Sequence, residues 1–457
     1  MEEEKLLQQI KNFEKDQKLD DDLILGLPVW RLVRYHTRLS YINKKTGYLA
    51  GSTKVQKVGT PMPQMLSSFW RFVGKENLNI FFPFHRLVNV EGEYLDKFVD
   101  PIISFSGFDK GNYIILDPPH FVGDYKRLHK DHSISNEGRT VFRQLLKYWF
   151  KIVTPFVYGN KLRLIYTKCK EFFLLDEKTL NNYYEIISGF LGSYYYYLIW
   201  FKILKPRRVF VVFREAYFPQ IAACKRLKIP VAEFQHGITI GNTVSFTGEY
   251  DNRIDPDYFL VFGDYWKGPQ FGMPLDRIIN IGWAYSKYLE KSLVKNVEMH
   301  HNGVLVISSP EISHAILNAL QELSQFDGDY RFDIRLHPCE SYSELEQKKL
   351  KLIPNAKVVD NKTDSAIVLP TYKFVLGENS SVLYEALSVG CKVGMLNLCG
   401  LSPAIDLPGI KDNFFVINNC SDFKRFMSDE TKQSKTKAEF YSEFDSKRFM
   451  EFINNKM

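Results

Sequence analysis

Residues suited to binding a phosphate follow two short apolar runs in the last third of the chain. His337-Pro338 follow the first run, and Ser380-Ser381 follow the second and open a helical stretch. Serine is a good helix cap, and a helix start offers free backbone N–H groups and the positive end of the helix dipole. Glu385, one turn into the helix, can accept hydrogen bonds from a ribose. The pattern predicts a phosphate-binding helix terminus; the alternative is an ordinary cap with a surface glutamate.

Two further strand ends in this half carry polar residues. The apolar run at 304–308 ends in Ser308-Ser309, and the run before the serine pair ends in Glu378. Ligands of open α/β sheets bind outside the carboxyl ends of the strands. We therefore expect these three side chains to face the nucleotide-binding cleft.

A histidine with catalytic potential lies in the string EFQHGITIG, at the end of the apolar run 230–234. Gly237 is expected to turn the chain sharply and to leave Gln235 and His236 exposed at the tip of the strand. A histidine there can act as a general base or, as imidazolium, steady a departing phosphate. The alternative is a histidine satisfied by nearby backbone. We expect Gln235, Gly237 and Arg214 to line a ligand-binding cleft beside His236.

Two carboxylates are alternatives to His236 as the catalytic group. Glu215 follows the near-continuous apolar run RVFVVF and Arg214, and Glu91 lies in the loop after the run NIFFPF. Loops that follow strands commonly carry catalytic groups. For Glu91 a solvated acidic loop is the competing interpretation.

The elements that position these residues alternate between apolar strands and amphipathic helices, as in doubly wound α/β proteins. A chain of 457 residues suits two such domains. A polar, charged segment near 290–302 marks the boundary. We expect an N-terminal Rossmann-like domain over residues 1–295, a C-terminal one over 303–430, and amphipathic helices over 431–457.

Two helical segments resemble binding or membrane elements. Arg31, Arg34 and Arg38 have helical spacing within residues 23–41, and we expect a core-facing helix there rather than a basic ligand site. Residues 186–204 are apolar enough to suggest a membrane span, but their tyrosines, glycines and one lysine favour a buried helix.

Residues 139–170 form a third segment of this kind, with eight Lys or Arg and no acidic residue. Its apolar residues have helical spacing. A basic amphipathic helix can make a peripheral contact with an anionic membrane or present a solvated basic face. The sequence leaves both interpretations open.

The strings IPVAEFQHGITIG and YEALSVGCKV, with the HP and SS pairs, resemble bacterial GT-B glycosyltransferases that build capsule and lipopolysaccharide, including sialyl-, polysialyl- and Kdo transferases. The resemblance implies the GT-B fold, in which two Rossmann-like α/β domains face a central cleft. It implies that the first domain, with Gln235, Gly237 and Arg214, binds the acceptor, and that the helices over 431–457 return to this domain. It also implies that His337 and Pro338 contact the nucleotide and that Ser380 and Ser381 hold its phosphate. Related sialyltransferases use a carboxylate-Gly pair as general base, which Glu91 and the following glycine resemble.

We therefore expect a metal-independent glycosyltransferase that moves a sugar from a nucleotide-activated donor, a CMP-sugar before a UDP- or GDP-sugar, to a surface polysaccharide or lipopolysaccharide. Alternatives on the same fold are a CDP-glycerol-type phosphotransferase and a nucleotide-sugar 2-epimerase. A non-catalytic, membrane-bound assembly factor with a degenerate GT-B fold is the alternative from another class. The basic segment 139–170 is its main support.

Composition and missing motifs argue against other classes. The chain lacks Walker, GxGxxG, HExxH and GxSxG motifs and a clean metal-bridging DxD, so neither a cofactor nor a metal is expected. Six cysteines without CxxC spacing indicate a reducing compartment. The net charge of +7 is spread along the chain without a nucleic-acid motif, so no nucleic-acid partner is expected. The acidic start of the chain has no signal-peptide pattern, which predicts a cytoplasmic location, including the inner face of the membrane.

Overall fold

The computed structural model describes residues 2–46, 74–75, 77–84, 87–90, 92–109, 111–117, 126–135, 137–239, 249–268, 272–292, 300–310, 312–326, 328–338, 340–378, 380–398, 414–428 and 440–457. Glu91, one of the catalytic candidates, lies outside these residues.

The helices in this part of the chain are α1 (Glu2–Asp16), α2 (Val29–Thr46), α3 (Asp100–Ser106), α4 (Glu137–Lys170), α5 (Glu177–Leu204), α6 (Arg214–Leu227), α7 (Ala284–Ser292), α8 (Ser313–Leu323), α9 (Glu344–Leu350), α10 (Ser365–Val368), α11 (Ser381–Ser388), α12 (Cys420–Ser428) and α13 (Ser446–Lys456). The strands are β1 (Leu23–Ile24), β2 (Leu27–Pro28), β3 (Asn79–Phe82), β4 (Val88–Val90), β5 (Glu93–Leu95), β6 (Tyr113–Asp117), β7 (Lys126–Arg127), β8 (Ser133–Ser135), β9 (Arg208–Val212), β10 (Val231–Phe234), β11 (Tyr258–Val261), β12 (Ile278–Asn280), β13 (His300–Ile307), β14 (Arg331–Arg335), β15 (Ala356–Val359), β16 (Tyr372–Gly377), β17 (Lys392–Leu396) and β18 (Phe415–Ile417).

The first half of the chain builds a parallel sheet in the order β12-β11-β10-β9-β3-β6-β8. Strands β9 and β10 are buried along their whole length. This burial explains their near-continuous apolar sequences, because helices cover both faces of a parallel sheet. The sheet grows from β3 through β6 to β8, and then in the opposite direction from β9 to β12. The switch point, where doubly wound sheets bind ligands, therefore lies between β3 and β9.

The second half repeats this plan in a parallel sheet of order β15-β14-β13-β16-β17-β18. This is the strand order of a classic dinucleotide-binding sheet, with β13 as its first strand and β16 as its fourth. Its switch point lies between β13 and β16. Each half of the chain thus has one edge at which the topology favours a ligand.

The segment 23–41 is only partly the predicted helix. Residues 23–28 form the two-stranded hairpin β1–β2, because Leu25 and Gly26 both have positive φ, the backbone that a tight two-residue turn requires. Helix α2 starts at Val29. The expected core-facing position of its arginines is confirmed, since all three are buried.

Helices α4 and α5 pack as an antiparallel pair. A Cβ atom on Gly192 of α5 would lie 2.7 Å from the backbone nitrogen of Lys147 on α4, so this glycine permits the close approach of the two backbones. Residues 186–204 lie in α5 and contribute Ile187, Leu191 and Trp200 to the core, which confirms the predicted buried helix. Within the described residues no helix has the length and apolar content that crossing a bilayer requires.

The end of the chain packs against the first sheet. The ring of Phe449 on α13 lies 6.3 Å from Phe210 on β9 and 6.4 Å from Phe234 on β10. Just after β12, a Cβ on Gly282 would come 2.3 Å from the carbonyl oxygen of Glu443. The glycine, with φ of +80°, lets the C-terminal segment lie directly on the sheet edge.

Aromatic residues join the two halves. Trp266, after β11, lies 5.1 Å from Tyr384 on α11, and its indole N–H donates to the carbonyl of Phe440 (2.7 Å). Buried residues of both sheets belong to one hydrophobic core. The ligand-binding edges of the two sheets are therefore parts of one packed molecule.

Candidate functional site

Glu340 ties together the loops at the carboxyl edge of the second sheet. Its Oε1 accepts hydrogen bonds from the hydroxyls of Ser308 (2.7 Å) and Ser313 (2.6 Å), and its Oε2 accepts one from the backbone N–H of His337 (2.8 Å). Ser308 follows β13, Ser313 begins α8 and His337 follows β14. One carboxylate thus fixes three neighbouring chain segments, which makes Glu340 a positioning residue.

The predicted nucleotide-binding residues of these two loops differ in exposure. His337 and Pro338 are exposed, Ser309 is half-buried, and Ser308 is buried with its hydroxyl engaged by Glu340. The structure places all four at one edge of the sheet. His337 and Pro338 lie at the surface of this edge, whereas Ser308 holds the loop in place.

Ser380 and Ser381 form the start of α11, on the other side of the switch point. The backbone N–H of Val382 donates to the hydroxyl of Ser380 (3.3 Å), so Ser380 is the helix cap that the sequence predicts. Ser381 is half-buried, as is Glu378 just before the cap. Within the described part of the chain the hydroxyl of Ser381 has no hydrogen-bond partner. The helix start therefore offers one uncommitted hydroxyl and the positive end of the helix dipole, while the N–H groups of Val382 and Leu383 are bonded to Ser380.

Glu385 is buried between the two halves of the molecule. Its Oε2 accepts a hydrogen bond from the hydroxyl of Ser365 (3.0 Å), and its Oε1 lies 3.2 Å from the Nζ of Lys97. Lys97 belongs to the turn before α3, in the first half of the chain. A ribose that binds Glu385 must therefore compete with Lys97 for one carboxylate oxygen.

Asp96 fixes the turn that carries Lys97. Its fully buried carboxylate accepts from the backbone N–H groups of Phe84 (2.8 Å), Phe98 (2.9 Å) and Val99 (2.8 Å). Burial raises the pKa of Asp96 to about 7. The same carboxylate thereby positions Phe84 at the end of β3 and Lys97 beside the second sheet.

His236 lies at the switch point of the first sheet between two phenylalanines. Its ring stacks on Phe84 at 5.2 Å between centroids and lies 4.8 Å from Phe213. Burial and the neighbouring Arg214 guanidinium lower the pKa of His236 to about 3. The ring is therefore neutral at physiological pH, which argues against an imidazolium role and leaves a weak base.

The turn between β9 and α6 is strained at Phe213. Its φ of +71° and ψ of +87° are rare for any residue other than glycine. Backbone strain of this kind concentrates at functional sites. The turn places Arg214 and Glu215 in the first residues of α6, beside the end of β10.

Arg214 is buried in an ion-pair network rather than open to the cleft. Its Nε lies 2.6 Å from Glu233, and one terminal nitrogen lies 3.2 Å from Asp255. Asp255 also binds Arg31 of α2 at 2.5 Å. Burial acts to raise the pKa of Asp255, but Arg31 and Arg214 together lower it. Arg214 thus links β10 to α2, and its part in acceptor binding stays a prediction.

Glu215 lies next to this network with a pKa raised to about 7. Burial is the main cause, and the positive charges of Arg34 and Arg31 only partly offset it. Within the described residues, the Oε1 of Glu215 is buried without a hydrogen-bond partner. A carboxylate near neutral pKa with an uncommitted oxygen is suited to proton transfer.

The expected exposure of Gln235 in the loop after β10 is wrong. Gln235 is fully buried, because its amide N–H donates to the carbonyl of Gly237 (2.8 Å) and its oxygen accepts from the N–H of Phe262 (3.0 Å). It joins the loop to β11 and is not exposed at the tip. The chain bends at Gly237 as expected, but this residue has no positive φ and a Cβ there would meet nothing within 4 Å, so the bend does not require a glycine.

Four residues that shape the two edges were not singled out by the sequence: Glu340, Asp96, Asp255 and Lys97. Their partners lie between two and 288 positions away in sequence. A single sequence gives no signal for such pairings. Asp96 follows a short apolar run and Asp255 precedes one. Many aspartates in any sequence have such neighbours, so this pattern does not identify these two as functional.

No protein-family model and no curated protein sequence matches the chain. Solved structures do. A candidate UDP-N-acetylglucosamine 2-epimerase from Listeria monocytogenes matches 83% of this chain and 96% of its own, with a TM-score of 0.50 and 12% identity. MnaA of S. aureus, solved with UDP, matches 82% of this chain and 96% of its own, with a TM-score of 0.49 and 12% identity. The glycotransferase of kitacinnamycin matches 84% and 100%, with a TM-score of 0.47 and 11% identity.

The chain has the GT-B fold. The two parallel, doubly wound sheets and the match over more than four fifths of the chain agree on this. At 12% identity the likeness concerns the fold alone, and the substrates named for those proteins are theirs.

Proposed function

We propose that the protein is a glycosyltransferase that takes a sugar from a nucleotide-activated donor and passes it to a glycan acceptor. The observation that supports this best is the second switch point, where the loops after β13, β14 and β16 bring exposed and half-buried polar groups, among them the hydroxyl of Ser381, to one edge. Open α/β sheets bind nucleotides at such edges. The domain division at 295 and 303 belongs to the same proposal, with the donor on the second sheet and the acceptor on the first.

In this proposal the donor lies across the start of α11. The hydroxyl of Ser381 and the positive end of the α11 dipole bind the phosphate, and His337 and Pro338 lie against the nucleotide. Glu385 binds the ribose, which takes the place of Lys97 at its carboxylate. Charge that builds on the departing phosphate is then met by the positive end of the helix. Ser309 and Glu378 line the same edge.

The donor is proposed to be a CMP-sugar, as the sequence resemblance favours, with UDP- and GDP-sugars as alternatives. The acceptor is proposed to be a growing surface polysaccharide or a lipid-linked glycan at the inner face of the membrane. Neither assignment is needed for the fold or for the geometry of the two edges.

Glu215 is the preferred catalytic base. With a pKa of about 7, a substantial fraction of Glu215 is deprotonated at neutral pH, and this carboxylate is basic enough to accept the proton of the acceptor hydroxyl. His236, with a pKa of about 3, is a much weaker base. In the transfer step the acceptor hydroxyl gives its proton to Glu215, its oxygen forms the new bond to the anomeric carbon, and the bond from that carbon to the phosphate oxygen breaks.

The proposal is tested by incubating the protein with CMP-, UDP- and GDP-sugars and CDP-glycerol, and following nucleotide release and products by NMR. We expect release from one sugar donor, lost in His337→Ala and Glu215→Gln and kept in Glu451→Gln, an exposed glutamate on α13. Turnover of CDP-glycerol alone would assign the phosphotransferase. A C2-epimerised donor without nucleotide release would assign the epimerase. No turnover and no binding of any nucleotide would contradict an enzymatic function.

A further inference from the structure

The first half of α4 carries a stripe of exposed apolar side chains. Leu145 is 62% exposed, Trp149 63%, Ile152 66% and Phe156 86%. Their spacing of three and four residues places them along one side of the helix. Phe142 and Tyr148, both also exposed, lie on the same side. We call this set the α4 stripe. Exposed apolar residues scattered singly are ordinary, whereas a contiguous row of this kind marks an interaction surface.

The packing of α4 explains why the stripe faces outward. The opposite side of the helix lies against α5, where Gly192 brings the backbones together and the hydroxyl of Ser188 donates to Thr154 (3.2 Å). Phe150 stacks on Tyr195 of α5 at 5.3 Å. Since α5 already occupies the inner side, the α4 stripe is presented away from the sheet.

Positive charge surrounds the stripe. Helix α4 contains eight Lys or Arg and a single acidic residue at its first position. Beyond Phe156 the exposed residues on this side become polar and basic, with Arg163 and Lys170. Lys151 and Lys147, next to the stripe, share one acidic partner, Glu185 of α5, so net positive charge remains on this surface.

We propose that the α4 stripe docks the protein on an anionic lipid bilayer, with the apolar side chains in the interfacial region and the basic residues among the headgroups. Amphipathic helices with Trp, Phe and Leu on one side and Lys and Arg beside them bind membranes in this way. Tryptophan and tyrosine favour the boundary between headgroups and acyl chains. No helix of the described residues spans a bilayer, so the contact is peripheral.

A second copy of this chain fits the stripe less well. A two-fold interface would place the same surface on both sides and bring the basic residues of the two copies together. Like charges that face each other across an interface oppose association. An anionic bilayer supplies the complementary charge. The inference does not depend on the proposed sugar transfer, although it would bring the protein to a lipid-linked acceptor.

The first test is co-sedimentation of the full chain with vesicles of phosphatidylcholine, with and without phosphatidylglycerol. We expect binding that requires the anionic lipid and weakens at high salt. Leu145→Ser/Ile152→Ser should reduce the partition coefficient about tenfold or more. The matched control is Leu345→Ser/Leu352→Ser, two leucines that are each 65% exposed elsewhere on the surface and should bind like the wild type.

The second test locates the contact. Brominated phosphatidylglycerol should quench part of the tryptophan fluorescence in the wild type, and Trp149→Phe should remove that quenching while circular dichroism and vesicle binding persist. Equal binding by both double variants would overturn the proposal. The proposal would also be overturned if the wild type did not bind vesicles and were a dimer in light scattering, and if Leu145→Ser/Ile152→Ser made it monomeric. Vesicle binding with inactive sugar transfer would leave docking intact and count against the proposed function alone.

Discussion

Glu215 has a pKa near 7 because its carboxylate is buried beside arginines that do not fully compensate for lost hydration. A general base works only when it is deprotonated. We predict that kcat/KM rises as pH increases and levels off above about pH 7. Glu215→Gln should lower activity by about 100-fold or more and abolish this rise. A pH profile of both proteins checks this, and an unchanged rise in the variant would assign the titrating group elsewhere.

Glu215 also makes the stability of the fold depend on pH. The folded pKa of about 7 exceeds the ordinary value of 4.5, so the folded state holds the proton more tightly than the unfolded state. Its stabilising contribution is therefore complete below about pH 4.5 and is lost as pH rises to about 7. Glu215→Gln should unfold at the same denaturant concentration near pH 4 and be more stable by about 3 kcal/mol at pH 8. Equal stability at pH 8 would show that the site is better solvated than the structure indicates.

For single residues, the sequence predicts which side chains have a structural or chemical role more readily than it predicts their pKa values and burial. Ser380 as a helix cap follows from residue type and position alone. The low pKa of His236 does not, since it arises from burial beside Phe84 and Phe213 and from the charge of Arg214, which follow two other strands, β3 and β9. Gln235 shows the same limit, because its partner Phe262 lies 27 positions away.

One side chain that accepts hydrogen bonds from several loops fixes their conformation, and Glu340 does this at the edge of the second sheet. Glu340→Ala would remove the acceptor of the buried Ser308 hydroxyl and of the His337 backbone N–H, and would leave the Ser313 hydroxyl only the carbonyl of Ser309. We predict a loss of about 2–3 kcal/mol in unfolding free energy and about tenfold weaker nucleotide binding. Glu346→Ala, which removes only the capping box of α9, should cost about 1 kcal/mol and leave binding unchanged. Normal binding by Glu340→Ala would remove Glu340 from the positioning network.

The junction between β12 and the C-terminal segment depends on one glycine. An alanine at Gly282 would clash with the backbone of Glu443 and would have to keep a φ of +80°. Gly282→Ala should lower unfolding free energy by about 3 kcal/mol or more in urea titrations. Gly237→Ala, where neither constraint applies, should stay within about 0.5 kcal/mol. If Gly282→Ala lowered the unfolding free energy no more than Gly237→Ala does, the contact of the C-terminal segment with the sheet edge would not stabilise the fold.

Whole elements are predictable where a pattern is continuous. The apolar strands β9 and β16 and the helix over 186–204 follow from their composition. The hairpin β1–β2 was missed because its strands are two residues long, too short for any alternation to show. The order of strands in each sheet, which defines the switch points, is a property of tertiary packing that no local pattern contains.

The two halves of the molecule meet at Lys97 and Glu385, where the proposed ribose site lies. We predict a coupling energy of about 1–3 kcal/mol between Lys97→Met and Glu385→Gln in a double-mutant cycle on the free protein. Saturating nucleotide should reduce this coupling, because a ribose would take the place of Lys97. Unfolding measured with and without nucleotide gives both values. A coupling that persists with bound nucleotide would rule out Glu385 as the ribose ligand.

The most direct test of nucleotide binding at the second switch point is calorimetric titration of CMP, CDP, UDP and GDP into the wild type and Ser381→Asp. Aspartate in the first turn favours the helix dipole, so the variant should fold at least as stably, yet its charge should repel a phosphate. We predict that one nucleotide binds the wild type, that Ser381→Asp weakens it about 100-fold or more, and that Ser388→Ala at the other end of α11 does not. Equal affinity for the wild type and Ser381→Asp would contradict a phosphate site at this helix.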